Sequence, residues 1–174
     1  MKTTPKTWWL TGLPAAGKTT LATRLCKELR QRGHPACLLD GDEVRQGLSK
    51  DLGFSMNDRE ENMRRVAEMA RLLNNSGIHA VIALVSPSIA GRSTAKQIIG
   101  ADNFIEIYVA TPLEICRERD PKNLYIKALA SKGMEMTGVD SPYEPPINPN
   151  FTVLGVGDEE IHVLTREFFY SADL

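Results

Sequence analysis

Gly12-Leu13-Pro14-Ala15-Ala16-Gly17-Lys18-Thr19-Thr20 is the stretch from which the fold is read. It fits G-x-x-x-x-G-K-[ST], the loop in which backbone N–H groups cradle the phosphates of a nucleotide. Its surroundings match the geometry that this motif needs. Before it stands the apolar run Trp8-Trp9-Leu10, and after it Leu21, Leu25 and Leu29 recur at helical spacing. A strand, a glycine-bearing turn and a helix N-terminus present unpaired N–H donors and a favourable dipole to a polyanion. In this reading Lys18 places its charge on the β- and γ-phosphates of ATP, and the Thr19 hydroxyl ligates Mg²⁺. The nucleotide-binding set is Gly12, Leu13, Pro14, Ala15, Ala16, Gly17, Lys18, Thr19 and Thr20.

Working outward, strands alternate with helices. Thr7 to Thr11 reads as the first strand and Gly17 to Gln31 as the first helix. A short apolar strand, Ala36 to Leu39, runs into Asp40-Gly41-Asp42. Short and long helices are expected over 43–48 and 58–74, the latter with Met63, Val66, Ala67, Ala70 and Leu73 as its apolar stripe. The charged positions Arg59, Arg64, Arg65 and Arg71 read mostly as a solvated face. Ile78 to Val85 is almost continuously apolar, as a strand buried on both faces should be, and it ends at Ser86-Pro87. A helix over 93–99, a strand over 104–109 and a helix after Pro112 follow. Residues 120–150 are rich in Lys, Gly, Met and Pro and read as a long lid-like connection beginning with a short helix over 124–130. A fifth strand over 151–155 and a closing helix over 158–169 complete the chain. The fold expected is α/β: a three-layer α/β/α, P-loop NTPase-type domain spanning 1–174, with a mostly parallel five-stranded sheet and a lid at about 120–150.

Composition narrows the function. The chain has 174 residues, 42% of them apolar and 25% charged, and its net charge is -1. That balance offers no basic field for nucleic acid or an anionic membrane, and no run approaches a membrane span. Cys26, Cys37 and Cys116 are widely spaced and read as reduced thiols of a cytoplasmic protein. A homodimer is left open.

A phosphate loop alone does not separate a kinase from an ATPase or a switch. Three features favour a small-molecule kinase. The chain is short. The buried strand ends in Ser86 rather than an acid, so Asp40 and Asp42 supply the carboxylates one strand away. The long segment after Arg119 can close over the site and exclude water. Asp42 then orients the acceptor hydroxyl and takes its proton, and Asp40 supports Mg²⁺ directly or through water. The bland alternative for Asp-Gly-Asp is a turn.

From Asp40-Gly41-Asp42-Glu43-Val44-Arg45 onward the chain resembles adenylylsulfate kinases. The likeness continues through Leu52-Gly53-Phe54-Ser55, Asp58-Arg59, Glu61-Asn62, Arg64-Arg65-Val66 and Ser86-Pro87. It extends to Pro112-Leu113-Glu114 and Cys116, Arg119-Asp120-Pro121-Lys122, Leu124-Tyr125, Thr137-Gly138-Val139-Asp140 and Pro142-Tyr143-Glu144. The resemblance implies transfer of the ATP γ-phosphate to the 3′-hydroxyl of adenylyl sulfate, in sulfate assimilation. It implies that Arg45, Phe54, Arg59 and Asn62 contact the acceptor nucleotide, with Val85, Ser86 and Lys127 also on the substrate side. It places Arg119 near the ATP adenine and matches Ser86 to a phosphoserine position. Direct in-line transfer needs no such intermediate, so Ser86 is read first as an acceptor-site contact.

The chain departs from the family pattern at four places. Pro14 and Ala15 replace Ser and Gly of the loop. Ser88 and Ile89 stand where an aromatic or His and an Arg are usual, although Arg92 remains. Met134 and Met136 replace a lysine and an aromatic before Thr137-Gly138. Two alternatives follow: a related kinase for another small hydroxyl compound, and a nucleotide-binding regulator without transfer activity.

Overall fold

The computed structural model describes residues 4–121, 123, 125–126, 137, 141–154 and 166–169. Five strands form one sheet in the order β2-β3-β1-β4-β5: β1 (Thr7–Thr11), β2 (Ala36–Asp40), β3 (His79–Ala83), β4 (Phe104–Val109) and β5 (Phe151–Val153). Every pairing is parallel, with Trp9 opposite Ile82 on one side and Glu106 on the other. The helices are α1 (Lys18–Gln31), α2 (Gly41–Gln46), α3 (Met56–Asn75), α4 (Ile89–Ile99) and α5 (Leu113–Arg119). Residues 166–169 are also helical.

The two-residue period of a strand divides the core between the faces of the sheet. Trp8, Leu10, Val81 and Ile107 pack with Leu21, Leu25 and Leu29 of α1 and with Phe168 and Phe169. Trp9, Ala80, Ile82 and Phe104 face Met63, Val66, Ala67 and Ala70 of α3 and Ala95 and Ile99 of α4. Both tryptophans are fully buried, each filling one layer. Gly91 lets α4 approach α3, because a Cβ there would overlap Met63.

Capping explains where helix boundaries differ from the sequence reading. α2 begins at Gly41 rather than 43 because the Asp40 carboxylate accepts from Asp42 N–H. Asp-Gly-Asp is therefore a helix start and not a free turn. α3 begins at Met56 because Ser55 Oγ accepts from Asp58 N–H. α4 begins at Ile89, four residues before the expected 93, because Ser88 Oγ accepts from Gly91 N–H. Regular pairing of β3 stops at Ala83, short of the expected 85. Beyond it Val85 C=O instead accepts from Thr11 Oγ1 and Gly12 N–H. Of the lid expectations, most of the 124–130 helix, Lys127, Met134 and Met136 lie outside the described residues, as does the greater part of the 158–169 helix.

β1 lies between β3 and β4, and the chain leaves β1 toward β2 before returning to place β4 on its other side. This is the reversal point at which open α/β sheets form a crevice at their carboxyl ends. The loop after β1 opens there.

Candidate active site

The phosphate loop is held from all sides. Gly12 has φ 152°, and a Cβ there would lie 2.5 Å from Val109 O, so only glycine fits between β1 and β4. Gly17, at φ 103°, precedes α1. Ala15 takes φ 61°, a left-handed conformation that disfavours a Cβ. Lys18 is 8% exposed, and its Nζ donates to Gly12 O at 2.9 Å and Leu13 O at 2.7 Å. Its cation therefore lies folded along the loop, at the place a nucleotide phosphate would approach.

Thr19 Oγ1 donates to Asp40 Oδ2 at 2.7 Å. This contact joins the start of α1 to the end of β2. The other Asp40 oxygen accepts from Asp42 N–H at 3.0 Å. The buried Asp40 thus has one oxygen for the helix cap and one beside the threonine hydroxyl. A hydroxyl and a carboxylate converging beside a phosphate loop are the oxygen donors a hard divalent cation takes. Asp42, in the first turn of α2, is exposed at the crevice.

Between α2 and α3 stands an arginine-flanked aromatic ring. Phe54 is 54% exposed, with the Arg45 guanidinium 4.5 Å and the Arg59 guanidinium 5.6 Å from its centroid. Arg45 Nη1 donates to Gly53 O, and Arg59 Nε donates to Phe54 O. Burial pulls Arg45 below the usual arginine range, with the Asp58 carboxylate opposing. Asn62, one turn after Arg59, is 5% exposed, and its Oδ1 has no hydrogen-bond partner among the described residues. A buried polar atom left in this way is costly unless something supplies a donor. Among the arginines of α3, Arg64 is exposed and Arg71 half-buried, and they are paired to Glu61 and Glu68. Arg65 also pairs with Glu61 and, in addition, ties α3 to Asp51 and Leu48 O.

Ser86 is 3% exposed and has φ 48°. Its Oγ accepts from the Trp9 indole N–H at 2.9 Å. Val85, half-buried beside it, turns its carbonyl to Thr11. Arg92 accounts for the next layer. It is 4% exposed, donates to Ser86 O at 2.6 Å and Glu144 O at 2.7 Å, and pairs with Glu106 at 3.0 Å. Glu144 in turn accepts from Ile89 N–H and donates its own N–H to Pro87 O. Tyr143 OH and Thr11 Oγ1 share a hydrogen bond, and the Tyr143 ring stacks on Tyr108. Burial raises the Tyr143 pKa, with Thr11 and Arg92 opposing, so the phenol stays neutral.

The structure thus brings Lys18, Thr19, Asp40 and Asp42 together where β1 and β2 end, and groups Arg45, Phe54 and Arg59 between α2 and α3, with Asn62 one turn on. Arg119 is exposed as the last residue of α5. Sequence reasoning assigned no role to Thr11, Thr111, Tyr125 or the Arg92–Glu106 pair. The signals were slight: a polar residue ending β1, another two residues beyond β4, and one charge inside an otherwise apolar strand.

The model of the family described as adenylylsulphate kinase matches residues 4–154. An adenylyl-sulfate kinase of Shewanella amazonensis is 50% identical over 145 residues, covering 83% of this chain and 73% of that protein. One from Clostridium acetobutylicum is 45% identical over 152 residues, covering 87% of this chain and 76% of the relative. The structure of an APS kinase from Mycobacterium tuberculosis, in complex with AMPPNP and APS, superposes with a TM-score of 0.90 at 39% identity over 99% of both chains. The chain belongs to the adenylylsulphate kinase family.

Proposed function

We propose that this chain transfers the γ-phosphate of ATP to the 3′-hydroxyl of adenylyl sulfate, giving 3′-phosphoadenylyl sulfate and ADP. The observation that carries this reading is the Thr19–Asp40 contact, which sets the phosphate loop against the Asp40–Asp42 cap. It supports a reading in which the donor's phosphates and a carboxylate able to accept a proton share one crevice. The named acceptor of the relatives, adenylyl sulfate, suits the opposite wall. An exposed ring between two guanidiniums can stack on adenine while the arginines meet phosphate and sulfate oxygens. The unpartnered Asn62 Oδ1 is suited to a donor such as an amine or hydroxyl of that nucleotide.

In this mechanism Lys18 leaves the loop carbonyls and pairs with the β- and γ-phosphate oxygens. Thr19 and Asp40 would hold Mg²⁺, which when bound would neutralise charge on the transferring phosphoryl group. Asp42 orients the 3′-hydroxyl and accepts its proton as the hydroxyl oxygen attacks the γ-phosphorus in line. Ser86 holds the wall of the acceptor site through Trp9 and Arg92, and its buried, already engaged hydroxyl favours this role over a phosphorylated intermediate. Arg119 and Lys127 keep their assignments toward ATP adenine and acceptor.

Asp42→Asn tests the assignment. Turnover should fall at least about a hundredfold, the usual contribution of a positioned general base, while ATP affinity changes less than about twofold. Near-normal turnover would remove Asp42 from the reaction.

A further inference from the structure

The two carbonyls that flank Ala15 are each pinned by a buried side chain from a distant part of the chain. Tyr125 OH donates to Pro14 O at 2.9 Å, and Thr111 Oγ1 donates to Ala16 O at 2.7 Å. Tyr125 is 2% and Thr111 3% exposed. Tyr125 is itself fixed, because Asp120 Oδ2 accepts from the N–H groups of Tyr125 and Ile126. We propose that Tyr125 and Thr111 are positioning residues that hold the phosphate loop in its nucleotide-binding shape against the backbone strain at Ala15.

Two physical points support this assignment. First, a trans peptide is planar, with its C=O and N–H pointing in opposite directions. Pinning the Pro14 carbonyl therefore aims the Ala15 N–H away from Tyr125, and pinning the Ala16 carbonyl does the same for the Gly17 N–H. The intervening Ala16 N–H turns to Leu13 O and closes the loop. The Ala15 and Gly17 N–H groups are thereby each held away from the side chain that pins the neighbouring carbonyl, as alternate backbone donors of the kind that receive phosphate oxygens. Second, an L-residue at φ 61° is disfavoured by roughly tenfold, so Ala15 would leave that conformation if its neighbours let it. Neither side chain directs its hydroxyl proton at a ligand; each donates it to the loop. Tyr125 also lies where the connection after α5 begins, so the loop's shape is tied to the base of that connection.

This inference rests on the nucleotide half of the proposed function and not on the acceptor's identity, so it is tested with ATP alone. ATP affinity is measured by calorimetry with Mg²⁺ for the wild-type chain, Tyr125→Phe, Ala15→Gly and the double variant. Tyr125→Phe keeps the ring and loses the hydroxyl's bond to Pro14 O together with its contact to the Cys116 thiol, so ATP should bind about fivefold more weakly. In the Ala15→Gly background, where the left-handed conformation is nearly free, the same change should cost less than about twofold. Thr111→Val should weaken ATP like Tyr125→Phe, and Thr111→Ser should restore it. In turnover, KM for ATP should rise while kcat stays within about twofold. Equal losses in the wild-type and Ala15→Gly backgrounds would overturn the proposal, as would a lowered Tm with unchanged ATP affinity in both hydroxyl-deleted variants. A wild-type chain that failed to bind ATP would refute the nucleotide reading itself, and this inference with it.

Discussion

Arg92→Met removes the side chain on which the inner wall of the crevice hangs. Arg92 pairs with Glu106 inside the protein and donates to the carbonyls of Ser86 and Glu144. Methionine fills much of the same volume and replaces none of these bonds. Breaking a buried ion pair by deleting one partner costs about 3–5 kcal/mol, because the other charge is left uncompensated. Glu106 can soften this loss by taking up a proton. Burial already pushes its carboxyl up, and Arg92 is the principal group opposing that shift. The expected loss is therefore at the low end, about 3 kcal/mol, or a Tm lower by about 6–12 °C for a chain of this size. The pH dependence has a definite sign. With Arg92 gone, the folded-state pKa of Glu106 stands above its unfolded value. The stabilisation from holding that proton is present at low pH and is lost as pH rises through the folded pKa. The variant should be less impaired, relative to wild type, at pH 5 than at pH 7. Arg92→Met combined with Glu106→Leu should recover about half of the loss, since the stranded charge is gone but the Ser86 and Glu144 carbonyls still lack their donor. Urea unfolding of the three proteins at both pH values measures all of this. A loss below about 1 kcal/mol in the single variant, or a double variant no better than it, would refute the reasoning.

Three further outcomes are expected. Phe54→Ala should raise KM for adenylyl sulfate about tenfold, the worth of one aromatic stack, and leave KM for ATP unchanged, which steady-state kinetics with each substrate varied would check. Gly12→Ala should destabilise the fold by about 3 kcal/mol and weaken ATP binding, since its Cβ meets Val109 O; wild-type stability in urea would contradict the packing described. His79 is buried, accepts from Lys6 N–H through Nδ1 and sits beside His34; burial first, then His34 and Lys6, depress its pKa to about 4. The neutral ring is fully favourable above pH 6.5, and its contribution is lost as pH falls toward 4, by about 3 kcal/mol in total. His79→Gln should therefore flatten the acid limb of the stability profile, and an unchanged limb would show that other groups govern it.

Much of this architecture was legible because its signals are local. The phosphate loop, the apolar run of β3 and the stripe of α3 are contiguous patterns whose period or chemistry points to one structure. Asp40-Gly41-Asp42 was legible as an acidic pair at a strand end but not as a cap, since turn and helix start share the same residues. The start of α4 was missed for a related reason: Ser88 reads as loop until its hydroxyl is seen to accept from Gly91 N–H. The contacts that shape the crevice join residues far apart in sequence, as with Thr111 and Ala16, Tyr125 and Pro14, or Arg92 and Glu144. Each is a single polar side chain with no periodicity, and its partner is most often a backbone carbonyl, which leaves no mark in the residue types. Phe54 and its two arginines stand between these cases, drawn together by resemblance and given a geometric reason only by the fold.

The central claim is phosphoryl transfer from ATP to adenylyl sulfate. It is tested most directly by ADP formation from ATP and Mg²⁺ with and without adenylyl sulfate, the nucleotide product being identified by mass. ADP formation should depend on adenylyl sulfate, and the product should be heavier than the acceptor by one phosphoryl group on its 3′-oxygen. ATP binding with no stimulation of ADP formation by adenylyl sulfate would contradict it.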